Sequence, residues 1–218
     1  MKRVWIICLV IGFLMPLKAQ DAVTDTLQNK PLPLCVQLNT HRLNWKEIVI
    51  PASLVGISAL SIENGWFKKQ KMNVQDALSA KGKKKIKVDD YIQYSPMVVG
   101  YGLGFTGVQA THSLKERTLI LAMSYATMGI VVRSMKLAFN EKRPDSNATN
   151  SFPSGHTLAS FISAFVLLGD NKKMGIPALI AAVLIAFSRM YLFVHFPTDI
   201  LGGILLAALI YSGIRIVL

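Results

Sequence analysis

Three short clusters of polar residues stand out in an apolar chain. In the first, Lys136 is followed after six residues by Arg143-Pro144. The second is Pro153-Ser154-Gly155-His156. The third runs Ser188-Arg189, five residues, His195, three residues, Asp199. Together they offer two imidazoles, three cations, two serines and a single carboxylate. Neither a carboxylate pair nor a cysteine accompanies them, so the ligand set of a metal hydrolase is missing and no metal or other cofactor is expected. The set suits phosphoryl transfer instead. Arginines fork onto phosphate oxygens, lysine adds a point charge, and backbone N–H groups complete a cradle. One imidazole can attack phosphorus while the other protonates the leaving oxygen.

Each residue also has a plainer reading when taken alone. Lys136 and Arg143 fit ordinary cations flanking a membrane helix. Ser154 fits a helix N-cap, although a helix start with free N–H groups is equally an anion site. Asp199 falls in the first turn of a helix begun by Pro197, where an acid suits the dipole. Its other role would be to hold the tautomer of His195, as a carboxylate does in hydrolase triads. His41 and His112 have no such company and read as surface or interfacial histidines. Charged side chains near membrane depth are costly, and their convergence at helix ends favours a site.

The elements that position these clusters are helices in a membrane. Of the 218 residues 52% are hydrophobic and 17% charged, with a mean hydropathy of +0.41. That balance fits an all-α, polytopic membrane bundle of about six core helices, five or six of them crossing. No alternating strand pattern and no repeat is present. The net charge of +12 fits basic flanks around spans better than a nucleic-acid partner, because the lysines cluster in one connection.

Residues 1–20 follow the plan of a secretory signal, with Lys2 and Arg3, an apolar run Val4–Met15, and cleavage near Ala19 or Gln20. Leu17 is a poor fit at the −3 position, and an uncleaved anchor stays open. Cys8 lies inside that segment and leaves Cys35 alone, so no disulfide framework is expected. Residues 21–90 form a polar arm, a short apolar segment Ile48–Ile62 containing Pro51 and Gly56, and a lysine-rich connection from Glu63 to Asp90. Residues 91–218 form the membrane core, with apolar segments Tyr91–Ala110, Thr118–Phe139, Thr157–Gly169, Gly175–Phe196 and Ile200–Leu218. Lys115, Arg117, Lys172, Lys173 and Arg215 fall on one side if the helices alternate, which the positive-inside rule makes cytoplasmic. Residues 140–156 and 195–199 then meet at the outer face, and the same parity puts the connection at 68–87 outside. Ile48–Ile62 would begin and end on that one side, as a re-entrant or interfacial segment.

The three clusters resemble, in order and spacing, the signature motifs of the type-2 phosphatidic acid phosphatase superfamily, which also holds vanadium haloperoxidases and bacterial acid phosphatases. Every motif position is filled, over Lys136–Asp199, and the helix pattern extends the likeness to about 91–218. The resemblance implies that His195 forms a phosphohistidine, Asp199 orients it, and His156 acts as general acid and then activates water. It implies phosphate binding by Lys136, Arg143, Ser154, Gly155 and Arg189, without a metal. It further implies a site at the outer leaflet of a bacterial inner membrane, facing the periplasm.

The expected substrate is an anionic phospholipid or glycolipid, with no obligate protein partner. Lipid A is placed first, because eight lysines between residues 68 and 87 would attract a headgroup with two separated phosphates. A merely solvated loop explains those lysines equally well. Undecaprenyl diphosphate is the main alternative, followed by phosphatidylglycerophosphate and phosphatidic acid. A haloperoxidase would be soluble, and a transporter would place polar groups near the bilayer midplane rather than at helix ends.

Overall fold

The computed structural model describes residues 45–60, 65–78 and 89–217. The signal segment, Cys8, Cys35, His41 and the lysines at 81–87 lie outside these residues. Every described element is a helix: α1 (Trp45–Leu60), α2 (Gly65–Leu78), α3 (Asp89–Ile92), α4 (Ser95–Phe105), α5 (Leu114–Phe139), α6 (Gly155–Asp170), α7 (Lys172–Tyr191) and α8 (Pro197–Val217). The expected all-α membrane bundle is what forms. Among the described residues α5, α7 and α8 are long and apolar enough to cross a bilayer, and α1 and α6 contribute shorter apolar helices.

The helix limits follow from local chemistry. A capping box starts α5: Ser113 accepts from the Glu116 N–H, and the Glu116 carboxylate accepts from the Ser113 N–H at 2.8 Å. Asn140 ends it in the left-handed region, φ 49°, which asparagine tolerates. Asn171 turns the chain between α6 and α7, its side chain accepting from the Lys173 N–H at 2.7 Å. Pro197 opens α8 as expected.

Two segments depart from the sequence reading. Tyr91–Ala110 is not one span of about 20 residues. A turn at Gln93-Tyr94 and Pro96 at the start of α4 interrupt it, and Gly107 (φ 80°) lies just beyond its end, leaving an 11-residue helix. The connection from Glu63 to Asp90 contains a 14-residue helix, α2, where a loop was expected. Periodicity missed it because its apolar residues are few and its buried face is polar.

The core sits around α6. Leu158, Ile162 and Leu167 are fully buried there, facing Met174, Ala178 and Ala182 of α7 and Leu206, Ala207 and Ile210 of α8. On α5, Leu119, Ile130 and Leu137 are exposed, as are Ile176, Ile180, Val183, Leu184 and Phe187 on α7. An apolar outer face on a helix that also buries an apolar inner face is what lipid contact requires. α1 is one unbroken helix packed lengthwise on α8, with Val55 and Ala59 buried and Val49, Ile50, Leu54 and Ile57 outward. A re-entrant hairpin would instead be interrupted.

α8 approaches the start of α6 unusually closely. A Cβ on Gly203 would lie 2.9 Å from the Ser154 carbonyl oxygen, and one on Gly202 would lie 2.6 Å from the Phe152 ring. Two glycines therefore let the helix that follows His195 sit directly against Phe152–Thr157.

Candidate active site

The third cluster is held by one tight turn. The N–H groups of Val194 and His195 both donate to the Arg189 carbonyl, at 3.1 and 3.3 Å. Phe193 takes φ 58° to close the turn, a conformation that is costly for a bulky residue. His195 is thereby folded back beside Arg189, and both are buried, 1% and 5% exposed. The chain then enters α8, whose first turn carries Asp199.

One oxygen of Asp199 gathers the local donors. Its Oδ2 lies 3.4 Å from His195 Nδ1 and accepts from the Phe196 N–H at 2.9 Å and the Ser151 hydroxyl at 2.5 Å. Nδ1 is therefore the nitrogen turned towards the carboxylate, and Nε2 is on the opposite edge of the ring. Burial pushes the His195 pKa below its ordinary 6.5. Asp199 opposes this through its hydrogen bond and charge, while Arg143 and Lys136 reinforce it. The imidazole is thus neutral at pH 7. Both cations of the first cluster are close enough to act on it electrostatically.

The second cluster reaches the third through the backbone. The Ser154 N–H donates to the Asp199 carbonyl at 3.1 Å. Ser154 takes the N-cap position of α6 as expected, but its hydroxyl makes no capping bond and instead accepts from Thr157 Oγ1 at 3.0 Å. Gly155 and His156 form the first turn of α6, both half-buried. A Cβ on Gly155 would meet nothing nearer than Val132 Cγ1 at 4.0 Å, so packing does not demand this glycine.

Lys136 occupies the last turn of α5. The loop after it folds on itself, with the Arg143 N–H donating to Ala148 O and the Ser151 N–H to Glu141 O, both at 2.9 Å. Arg143 Nε donates to Asn150 Oδ1 at 2.7 Å, fixing the guanidinium. All the predicted site residues thus stand at one end of the bundle, on α5, α6, α7, α8 and their connections.

Several participants went unread in the sequence. Ser151 is fully buried against Asp199, yet one serine near a proline carries no distinguishing signal. Lys71 and Gln75 of α2, 5% and 0% exposed, also belong to this end. Lys71 pairs with Glu141 and lies 4.4 Å from the Phe196 ring centroid, and Gln75 Nε2 donates to Met190 O at 2.8 Å. At the opposite end, His112 is no isolated histidine: it and the buried Arg117 share the buried Asp170. Thr111 adds hydroxyl and N–H bonds to the Asp170 carbonyl, at 2.9 and 3.2 Å.

Comparison with known proteins places this arrangement. The PAP2 superfamily matches residues 117–217. Phosphatidylglycerophosphatase B of Bacillus subtilis (strain 168) is 32% identical over 136 residues, covering 55% of this chain and 65% of that protein. Undecaprenyl-diphosphatase BcrC of the same organism is 38% identical over 63 residues, 29% of this chain and 33% of that protein. Lipid A 1-phosphatase of Porphyromonas gingivalis is 33% identical over 79 residues, 36% of this chain and 18% of that protein. The chain spans less than two thirds of the length of each of these relatives. A crystal structure of a transmembrane PAP2 type phosphatidylglycerolphosphate phosphatase from Bacillus subtilis superposes with a TM-score of 0.56 at 23% identity, covering 76% of this chain and 94% of that one. At that identity the likeness is one of fold.

Proposed function

We propose, from the match of residues 117–217 to the PAP2 superfamily, that the chain is a membrane-embedded lipid phosphate phosphatase of that family, working through a phosphohistidine on His195. The observation that carries this reading is the pairing of a buried, neutral His195 with Asp199 on its Nδ1 side, under the charges of Lys136 and Arg143. A neutral imidazole turned by a carboxylate is a competent nucleophile, and cations beside it would favour a dianionic phosphate over water.

In the proposed reaction Nε2 of His195 attacks phosphorus and the bond to the lipid oxygen breaks. His156 gives its proton to that oxygen, and the lipid leaves one phosphate shorter, with a hydroxyl from a phosphomonoester or a monophosphate from a diphosphate. His156 then takes a proton from water, whose oxygen displaces His195 from phosphorus and releases inorganic phosphate. Lys136, Arg143 and Arg189 hold the equatorial oxygens, with the Ser154 hydroxyl and the Gly155 N–H completing the cradle. A bare glycine where packing would admit a Cβ fits close approach by a phosphate oxygen.

For the substrate, lipid A remains the first candidate, facing the periplasm at the inner membrane, and one relative bears the name lipid A 1-phosphatase. One observation favours undecaprenyl diphosphate instead. Among the described lysines of the basic connection, Lys71 lies at the site, and it is paired with Glu141 and not with a remote second phosphate. Purified protein should release inorganic phosphate from an anionic lipid and lose this on His195→Ala. Wild-type-like release by His195→Ala would sink the mechanism. A panel of lipid A, undecaprenyl diphosphate, phosphatidylglycerophosphate and phosphatidic acid ranks the substrates.

A further inference from the structure

α2 lies outside the matched superfamily segment, yet one of its faces touches two of the three clusters that make the site, the first and the third. Lys71 and Gln75 are four residues apart, hence neighbours on that face. Lys71 pairs with Glu141, two residues before Arg143. Its ammonium also stands over the ring of Phe196, the residue after His195. Gln75 donates to the carbonyl of Met190, the residue after Arg189. A lysine and a glutamine this deeply buried are unusual, and each has a specific partner.

We propose that Lys71 and Gln75 are positioning residues for the phosphate cradle: Lys71 fixes the Arg143 loop through Glu141, and Gln75 fixes the Arg189 turn through Met190. The inference rests on the phosphatase reading and extends it beyond the family segment. Neither residue touches phosphate; each sets where a guanidinium stands. Loss of a charged hydrogen bond at such a point should weaken the cradle about tenfold.

The test uses the full chain in detergent micelles. It measures KM and kcat with a short-chain phosphatidic acid, and the Ki of inorganic phosphate. Lys71→Met and Glu141→Gln should each raise KM and Ki about tenfold with a smaller change in kcat, and the double variant should be no worse than either single one. Lys71→Arg should recover most of the affinity, and Gln75→Met should raise Ki in the same direction. Tighter phosphate binding by Glu141→Gln would mean that Lys71 acts on phosphate through its own charge, which overturns the positioning role. Unchanged Ki in Lys71→Met and Gln75→Met overturns it equally. A variant that loses kcat in step with its folded fraction, at unaltered Ki, shows a strut for stability alone. An inactive wild type, or an active His195→Ala, removes the phosphatase reading itself and is seen before any variant of α2 is compared.

Discussion

The Ser151 hydroxyl donates to Asp199 Oδ2 at 2.5 Å, across 48 residues of sequence. That oxygen also faces His195, so the serine helps to set the angle from which the carboxylate meets the imidazole. Ser151→Ala should therefore lower kcat by about tenfold and leave KM nearly unchanged, since the serine belongs to the nucleophile's support and not to the phosphate cradle. An unaltered kcat in steady-state assays would remove Ser151 from the machinery.

The pH profile should report the state of His195. Its pKa is held below 6.5 by burial, so on the acid side kcat/KM falls as pH drops through that lowered value. Asp199 is the group that raises the pKa, and Arg143 and Lys136 lower it. Asp199→Asn should thus move the acid limb to still lower pH, while the plateau rate falls roughly a hundredfold or more. A limb displaced to higher pH would contradict the assignment.

Two glycines should respond in opposite ways. Gly203→Ala places a carbon 2.9 Å from a backbone oxygen of the Ser154 turn, so it should lower both the melting temperature and activity. Gly155→Ala has open space and should fold normally, yet raise KM by crowding the approaching phosphate. Thermal unfolding in detergent, paired with kinetics, separates the two effects.

At the far end, Asp170→Asn should destabilise the fold by about 3–5 kcal/mol, because Arg117 would stay buried without its counter-charge. The fraction that folds should keep normal KM, since the site lies at the other ends of α5 and α6. A melting temperature equal to wild type would sink this prediction.

The placement of α1 also gives a measurable outcome. A continuous helix packed on α8 that crosses the bilayer should put its start, at residue 45, and the start of α2, at residue 65, on opposite sides of the membrane. Single cysteines there, in a background lacking Cys8 and Cys35, should label from different sides with an impermeant maleimide. Labelling of both from one side would restore an interfacial position.

The convergence of the candidate site was legible in the sequence because Lys136, Arg143, Ser154, Gly155, His156, Arg189, His195 and Asp199 are types whose spacing carries chemistry. The helical class was legible from long apolar stretches. What stayed hidden depends on contacts between distant segments. Ser151 differs from any other serine only by reaching Asp199, and Lys71 looked like one more solvated lysine until Glu141 and Phe196 lay beside it. His112 likewise has no sequence neighbour that announces Asp170, 58 residues on. The break at Tyr94–Pro96 was masked by hydropathy, which does not register that proline starts helices more readily than it continues them.

α6 is only 16 residues long, about 24 Å, whereas α7 runs for 20, about 30 Å. The two are level where Asn171 joins them, so the shortfall falls at the other end, where α6 begins with Ser154-Gly155-His156. If both helices run straight, the start of α6 falls about 6 Å short of the end of α7. A phosphate arriving in a thick bilayer would have to sink to meet the cradle, or the surrounding lipid would have to thin, at a fraction of a kcal/mol per Å. The proposed phosphatase would then be tuned by its solvent: turnover should rise in vesicles of shorter acyl chains and fall in longer ones, at constant headgroup chemistry.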